Sequence, residues 1–126
     1  MTRIDARDRL IVALDVPSAG EAEALVDRMG DQVRFVKVGL ELYTVAGPDI
    51  VRKLVARGKR VFLDLKFLDI EETVRRATAR VAAMGAAFLT IHANRKALIA
   101  AVQGRGQSDL KLLAVTVLTN FDGDGL

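Results

Sequence analysis

Residues 61–73 read Val-Phe-Leu-Asp-Leu-Lys-Phe-Leu-Asp-Ile-Glu-Glu-Thr, a β-branched and aromatic run that ends in charge. Such a run predicts a strand, on which positions i and i+2 point the same way. Asp64 and Lys66 then share a face with Phe62, while Val61, Leu63 and Leu65 share the other. Two opposite charges on a strand that otherwise reads as buried are costly unless they are paired. Two readings of this segment stand side by side. Asp64 and Lys66 are either a plain ion pair at a strand end or part of a catalytic site. Asp69, spaced from Glu72 as in a capping box, is either a helix N-cap or a third functional charge.

The flanking sequence repeats the same unit. Strand-like runs fall at Leu10–Val16, Arg34–Val38, Arg60–Lys66, Ala87–His92 and Lys111–Thr119, and each of the first four leads into a punctuated helical segment. Ser18 and Glu21 predict a capping box for the first helix, with Gly30 as its stop. Pro48 suits the first turn of a second helix that stops at Gly58. Asp69 opens a third ending at Met84 and Gly85, and Asn94 caps a fourth ending around Gly104–Gly106. Strands and helices alternating at a repeat of roughly 25 residues predict βα units and a parallel sheet. No Gly-x-Gly-x-x-Gly follows the first strand, so the dinucleotide fingerprint of an open sheet is missing. Instead Asp15, Lys37, Asp64, Lys66, His92 and Thr119 fall at the C-terminal ends of successive strands. That is the face from which (βα)8 barrels draw catalytic groups. The expected fold is α/β, of the (βα)8 TIM-barrel type, represented by roughly its first half: five parallel strands and four helices.

Composition narrows the function classes. The 126 residues have room for one domain, and 51% hydrophobic with 28% charged residues describes a globular chain rather than a disordered one. No apolar run approaches ~18 residues, and the polar N-terminus has no apolar signal core, so neither a membrane span nor a secretory leader is expected. The absence of cysteine excludes disulfides and thiolate metal sites and makes a reducing cytoplasm the expected compartment. The net charge of +3 is spread along the chain; with one Tyr, no Trp and no basic block, nucleic acid is not an expected partner. Lys59-Arg60, Arg75-Arg76 and Arg95-Lys96 read as solvated faces, and His92, the sole histidine, as a structural residue. Asp122-Gly-Asp-Gly lacks the remaining positions of a calcium loop. No metal or cofactor is expected.

Taken in order, Ala13-Leu14-Asp15, Val36-Lys37-Val38-Gly39, Asp64-x-Lys66-x-x-Asp69-Ile70 with Thr73, His92-Ala93 and Val115-Thr116-Val117-Leu118-Thr119 resemble the N-terminal half of the orotidine 5′-phosphate decarboxylase family. The resemblance covers essentially the whole chain and implies a nucleotide substrate, orotidine monophosphate, decarboxylated without a cofactor. It implies that Lys66 is the proton donor and that Asp64 crowds the substrate carboxylate. Lys37 and Asp69 would complete an alternating Lys–Asp–Lys–Asp network. Asp15 and Lys37 would reach the ribose hydroxyls, and Thr119 would lie beside the nucleotide. Asp69, Ile70 and Thr73 would reach the site of a neighbouring subunit. The family usually has His at Leu68, Pro at Glu71, Asn at Glu72, Ser at Asn120, and small residues where Asn94-Arg95-Lys96 stand. Family members also continue through strands six to eight, whose loops hold the phosphate. Residues 1–126 are therefore expected to form a single incomplete barrel domain that is poorly active or inactive alone.

Two other readings remain. A magnesium-dependent sugar-phosphate lyase of the same suprafamily would need an acid near the second strand end, where Glu41 is the candidate. A non-catalytic half-barrel scaffold is the third. In either case the open inner face is expected to expose Phe35, Phe62 and the strand-one aliphatics. The free edges, one carrying Leu112-Leu113-Ala114-Val115, favour a homo-oligomer or a complementing half-barrel over a monomer.

Overall fold

The structure, a computed structural model, describes residues 3–118. Its strands are β1 (Ile11–Ala13), β2 (Phe35–Gly39), β3 (Arg60–Phe67), β4 (Phe88–His92) and β5 (Lys111–Val115). They pair in chain order and every pair is parallel. The crossovers are made by α1 (Ala19–Met29), α2 (Leu40–Ala56), α3 (Glu71–Met84) and α4 (Arg95–Arg105). Adding each strand beside the last through a short helical crossover yields this order and leaves β1 and β5 as edges.

Alternation along the strands divides the sheet into two faces. Val36, Val38, Val61, Leu63, Leu89 and Ile91 are fully buried in one core with Val26, Leu42, Ile50, Leu54, Val74 and Ala101 from the helices. On the opposite face the register aligns Ala13, Lys37, Phe62, Phe88 and Lys111 across the sheet. Phe88 stacks on Phe35 and Phe62 with ring centroids 5.5 and 5.9 Å away. Below them, at the N-terminal end of the strands, the Arg60 guanidinium lies 4.7 Å from the Phe35 centroid. Arg60 Nη1 is 3.8 Å from Asp8 Oδ1, and Arg34 Nη1 donates to Asp8 Oδ2 at 3.2 Å.

The predicted caps on two helices form. Ser18 Oγ accepts from the Glu21 N–H at 3.2 Å and donates to its carboxylate at 3.0 Å, and Asn94 Oδ1 accepts from the Ala97 N–H at 3.1 Å. Gly85 closes α3 in the left-handed conformation, with φ 84°. Helices α3 and α4 meet backbone to side: a Cβ added to Gly104 would stand 2.2 Å from the Arg75 carbonyl oxygen.

Several expectations are corrected. Strand β1 is shorter than Leu10–Val16: its last ladder pair is Ala13 with Lys37, and the chain then turns toward Ser18, which caps α1. Strand β5 ends at Val115, and Thr119, Asn120 and Asp122-Gly-Asp-Gly lie outside the described residues. Helix α2 opens with a segment the sequence pattern missed, starting at Leu40 directly after β2 and broken at Gly47 (φ 63°, ψ −161°); Pro48 opens the helical segment that follows, as expected of it. Asp69 does not cap α3. Ile70 occupies that position, Asp69 Oδ1 accepts from the adjacent Ile70 N–H at 2.7 Å, and Glu72 turns away to Arg75 and Arg76. With both carboxylates engaged elsewhere, no capping box forms, and Arg75-Arg76 is a paired face, not a merely solvated one. Lys59 and Arg60 are not a solvated pair either, since Lys59 Nζ donates to the Gly30 and Val33 carbonyls at 2.8 and 2.6 Å. Phe35, expected on an exposed inner face, is 3% exposed because Phe88 and Arg60 cover it. Among the described residues no helix is long and apolar enough to cross a membrane.

Candidate active site

Regular alternation in β3 holds as far as Leu63. Leu63 pairs with Leu89, yet the next pair is Phe67 with Ile91, so β3 carries extra residues against β4. This is a bulge, a device that re-aims side chains. Within it Lys66 has φ 51°, the left-handed region, which costs a non-glycine residue roughly 1–2 kcal/mol. Lys66 is therefore not placed by simple strand parity with Phe62, as the sequence pattern predicts. The left-handed turn places it instead, and it still meets Asp64.

The contact is direct. Lys66 Nζ donates to Asp64 Oδ1 at 2.9 Å, with the lysine side chain 38% and the aspartate side chain 17% exposed. A second donor to the same oxygen is Thr90 Oγ1, at 2.8 Å, from the middle of β4. Burial pushes the Asp64 carboxyl upward. The hydrogen bonds from Lys66 and Thr90, with the charges of Lys66 and Lys37, outweigh it and hold the group below the ordinary aspartate value. Asp64 is thus an anion clamped between cations, and Lys66 keeps ammonium protons free to face a ligand.

Lys37 is half-buried at the centre of β2, between Ala13 and Phe62. Asp15 is exposed just past β1. Its Oδ1 is 3.5 Å from where a Cβ on Gly39 would stand, and Gly39 pairs with Asp64. The strand ends thus bring Asp15, Lys37, Asp64 and Lys66 to one side of the sheet. Asp69 does not join them as the alternating network requires. It sits on the exposed loop after β3, where its carboxylate is held by its own neighbour, and lines an open hollow of about 620 Å³ with Leu68, Ile70, Glu71, Asn94 and Lys96. Ile70 is 75% exposed, and Thr73 borders a smaller hollow of about 160 Å³ with Phe67 and Asp69. His92 is half-buried at the end of β4.

Thr90 was not legible as a site residue: in Phe-Leu-Thr-Ile-His it looks like any β-branched strand position. Its parity with His92, which puts it on the inner face, was the one available signal. Among the described residues no group of three or more His, Cys, Asp or Glu side chains could hold a metal ion, and Glu41 is exposed in the first turn of α2.

A parallel βα sheet with an acid–lysine pair at its strand ends defines one part of a (βα)-barrel protein. Residues 8–126 match the family described as Orotidine 5'-phosphate decarboxylase / HUMPS, and the chain belongs to that family. It is 51% identical over 121 residues to the orotidine 5'-phosphate decarboxylase of Bradyrhizobium sp. (strain BTAi1), covering 96% of this chain and 50% of that protein. It is 53% identical, with the same coverage of both chains, to the orotidine 5'-phosphate decarboxylase of Nitrobacter winogradskyi. The crystal structure of orotidine 5'-phosphate decarboxylase from Lactobacillus acidophilus superposes with a TM-score of 0.83 at 39% identity, covering 91% of this chain and 55% of that one. The chain spans about half the length of the curated relatives it matches.

Proposed function

We propose that this chain carries the proton-donating part of an orotidine 5'-phosphate decarboxylase site, which converts orotidine monophosphate to uridine monophosphate and carbon dioxide in pyrimidine biosynthesis. The observation that carries the reading is the Lys66 ammonium held 2.9 Å from a part-buried Asp64, with Lys37 close enough to depress the same carboxyl. In the reaction the bond from C6 of the pyrimidine to its carboxylate breaks and carbon dioxide leaves. The electron pair stays on C6, and a proton moves from Lys66 Nζ to that carbon. A fixed ammonium stabilises the developing carbanion and then protonates it, so one group serves both needs and no cofactor is required. Asp64 stands where the substrate carboxylate would be crowded, a repulsion relieved as carbon dioxide departs.

In this reading Asp15 and Lys37 bind the ribose hydroxyls and Thr119 lies beside the nucleotide. Asp69, Ile70 and Thr73 face outward because they serve the site of a neighbouring subunit. In this reading the phosphate is held by strands that follow β5 in a full-length family member, and residues 1–126 supply the part of the barrel that carries the Asp64–Lys66 pair, working in the cytoplasm with a second copy or a complementing half. The exposed inner-face residues Ile11 (42%) and Leu113 (39%) support a surface that further chain covers. At about 25 cal/mol per Å², covering a few hundred Å² of apolar surface stabilises by several kcal/mol.

The test is Lys66→Ala in an assembly that includes the remaining strands. Turnover of orotidine monophosphate should be lost while nucleotide binding is largely kept, because the proton donor acts in the transition state. Near-native decarboxylation by that variant would rule the reading out. Light scattering at low micromolar concentration tests the partner, and a compact monomer would contradict it.

A further inference from the structure

We infer that Thr90 is a positioning residue that holds both the backbone and the side chains of the Asp64–Lys66 pair through its single hydroxyl. The bulge in β3 creates the need. Between the Leu63–Leu89 and Phe67–Ile91 pairs the ladder is interrupted, and the Lys66 N–H is left without a regular strand partner. Thr90 Oγ1 accepts that N–H at 2.9 Å and donates its own proton to Asp64 Oδ1 at 2.8 Å. The direction is fixed by chemistry, since the backbone N–H and the ammonium can only donate and the carboxylate can only accept. Lys66 Nζ then donates to the same Asp64 oxygen, which closes a ring through Thr90, Asp64 and the whole length of Lys66.

Three features make the ring specific. The Thr90 residue is 5% exposed, so its two bonds meet little competition from water. Lys66 is the only non-glycine residue with positive φ among the described residues, and the N–H that Thr90 holds is the one that fixes that turn. The charges that lower the Asp64 carboxyl are those of Lys66 on its own strand and Lys37 on β2; Asp15 past β1 and His92 at the end of β4 lie on the same side of the sheet, and the group β4 sets directly against Asp64 is the neutral Thr90. Removing the hydroxyl therefore changes the geometry of the pair without changing the charge around it. The link from this geometry to catalysis rests on the decarboxylase reading; the positioning itself does not.

Three variants of the 126-residue chain decide the matter: Thr90→Val, Thr90→Ala and Thr90→Ser. Two readouts on each are the exchange rate of the Lys66 amide and the carboxyl titration of Asp64 by carbon-detected NMR. Valine keeps the shape and β-branching but loses both bonds. Exchange at Lys66 should accelerate on the order of tenfold, the worth of one net hydrogen bond, and the Asp64 titration should move upward. Serine should restore both values, and core amides such as Val36 and Leu89 should stay protected throughout. If the valine variant does not fold, Thr90→Ala removes the same hydroxyl without an added methyl group and is read the same way. Unchanged Lys66 exchange and Asp64 titration in the hydroxyl-free variant would overturn the proposal, as would a serine variant that behaves like valine. Neither readout involves turnover, so a failure of the decarboxylase reading would leave this result standing, and the converse also holds.

Discussion

Two aspartates at opposite ends of the sheet make an instructive pair. Asp8, at the N-terminal end, and Asp64, at the C-terminal end, have the same side-chain exposure of 17%. Asp8 is met by the guanidinium groups of Arg34 and Arg60, and Arg60 is further held against the Phe35 ring. Asp64 is met by an ammonium and a hydroxyl. Both arrangements answer the cost of taking a carboxylate out of water, yet only one can do proton chemistry. A guanidinium stays charged under any ordinary condition, whereas an ammonium can give up a proton and regain it. The base of the sheet is closed with a cation that cannot react, and the mouth is furnished with one that can.

The sharpest way to break this contrast is to put the basal chemistry at the mouth. Lys66→Arg keeps the charge beside Asp64 but removes a group able to give up a proton. In an assembly with the remaining strands it should lower the rate by roughly 10²- to 10⁴-fold, read from single-turnover kinetics, while Asp64 keeps a depressed titration. The reciprocal change, Arg60→Ala, should act on stability instead. Loss of the cation over the Phe35 ring and of a partner to Asp8 should cost about 1–3 kcal/mol in urea unfolding, with the Asp64 titration unmoved.

Acid probes the Asp64 end in a second way. The folded-state pKa of Asp64 lies below the ordinary value of 3.8, so its contribution to stability is complete above that pH. The contribution is lost as pH falls through the lower folded value. Unfolding free energies measured from about pH 5 downward should fall less steeply in Asp64→Asn than in the parent chain. Lys37→Met should have the smallest effect. With the more distant of the two charges gone, the Asp64 titration should rise, but by less than in Lys66→Ala.

Much of the fold was legible because local signals agreed with one another. The Ser18–Glu21 box, the Asn94 cap and the glycine after Met84 mark helix ends by short-range chemistry, which tertiary packing had no reason to override. The gathering of Lys37 and Asp64 followed from strand parity, whereas Lys66 joins them through a left-handed turn that parity does not foresee. What escaped depends on register between strands. Arg60, already read as the first residue of a strand, still reads as half of a surface Lys-Arg pair until the Phe35–Phe88 stack is seen to lie alongside it. Thr90 acquires a role only when the bulge opposite it is known. Asp69 looked like a cap because its spacing to Glu72 is right, but spacing carries no information about the competing Arg75 and Arg76.

The bare contact between Gly104 and the Arg75 carbonyl has a consequence for motion. Two helices joined through long side chains can separate by degrees, with rotamers filling the gap as it opens. Where a glycine rests against a backbone oxygen there is no such slack, and the contact is either made or absent. Helices α3 and α4, with β4 between them in sequence, should therefore open as a single cooperative unit, in the manner of a foldon. Amides of Val74, Thr78, Ala97 and Ala101 should report one shared opening free energy in native-state hydrogen exchange. The short edge strand Ile11–Ala13 should open at a lower one, so the first region to loosen lies across the sheet from the Asp64–Lys66 pair.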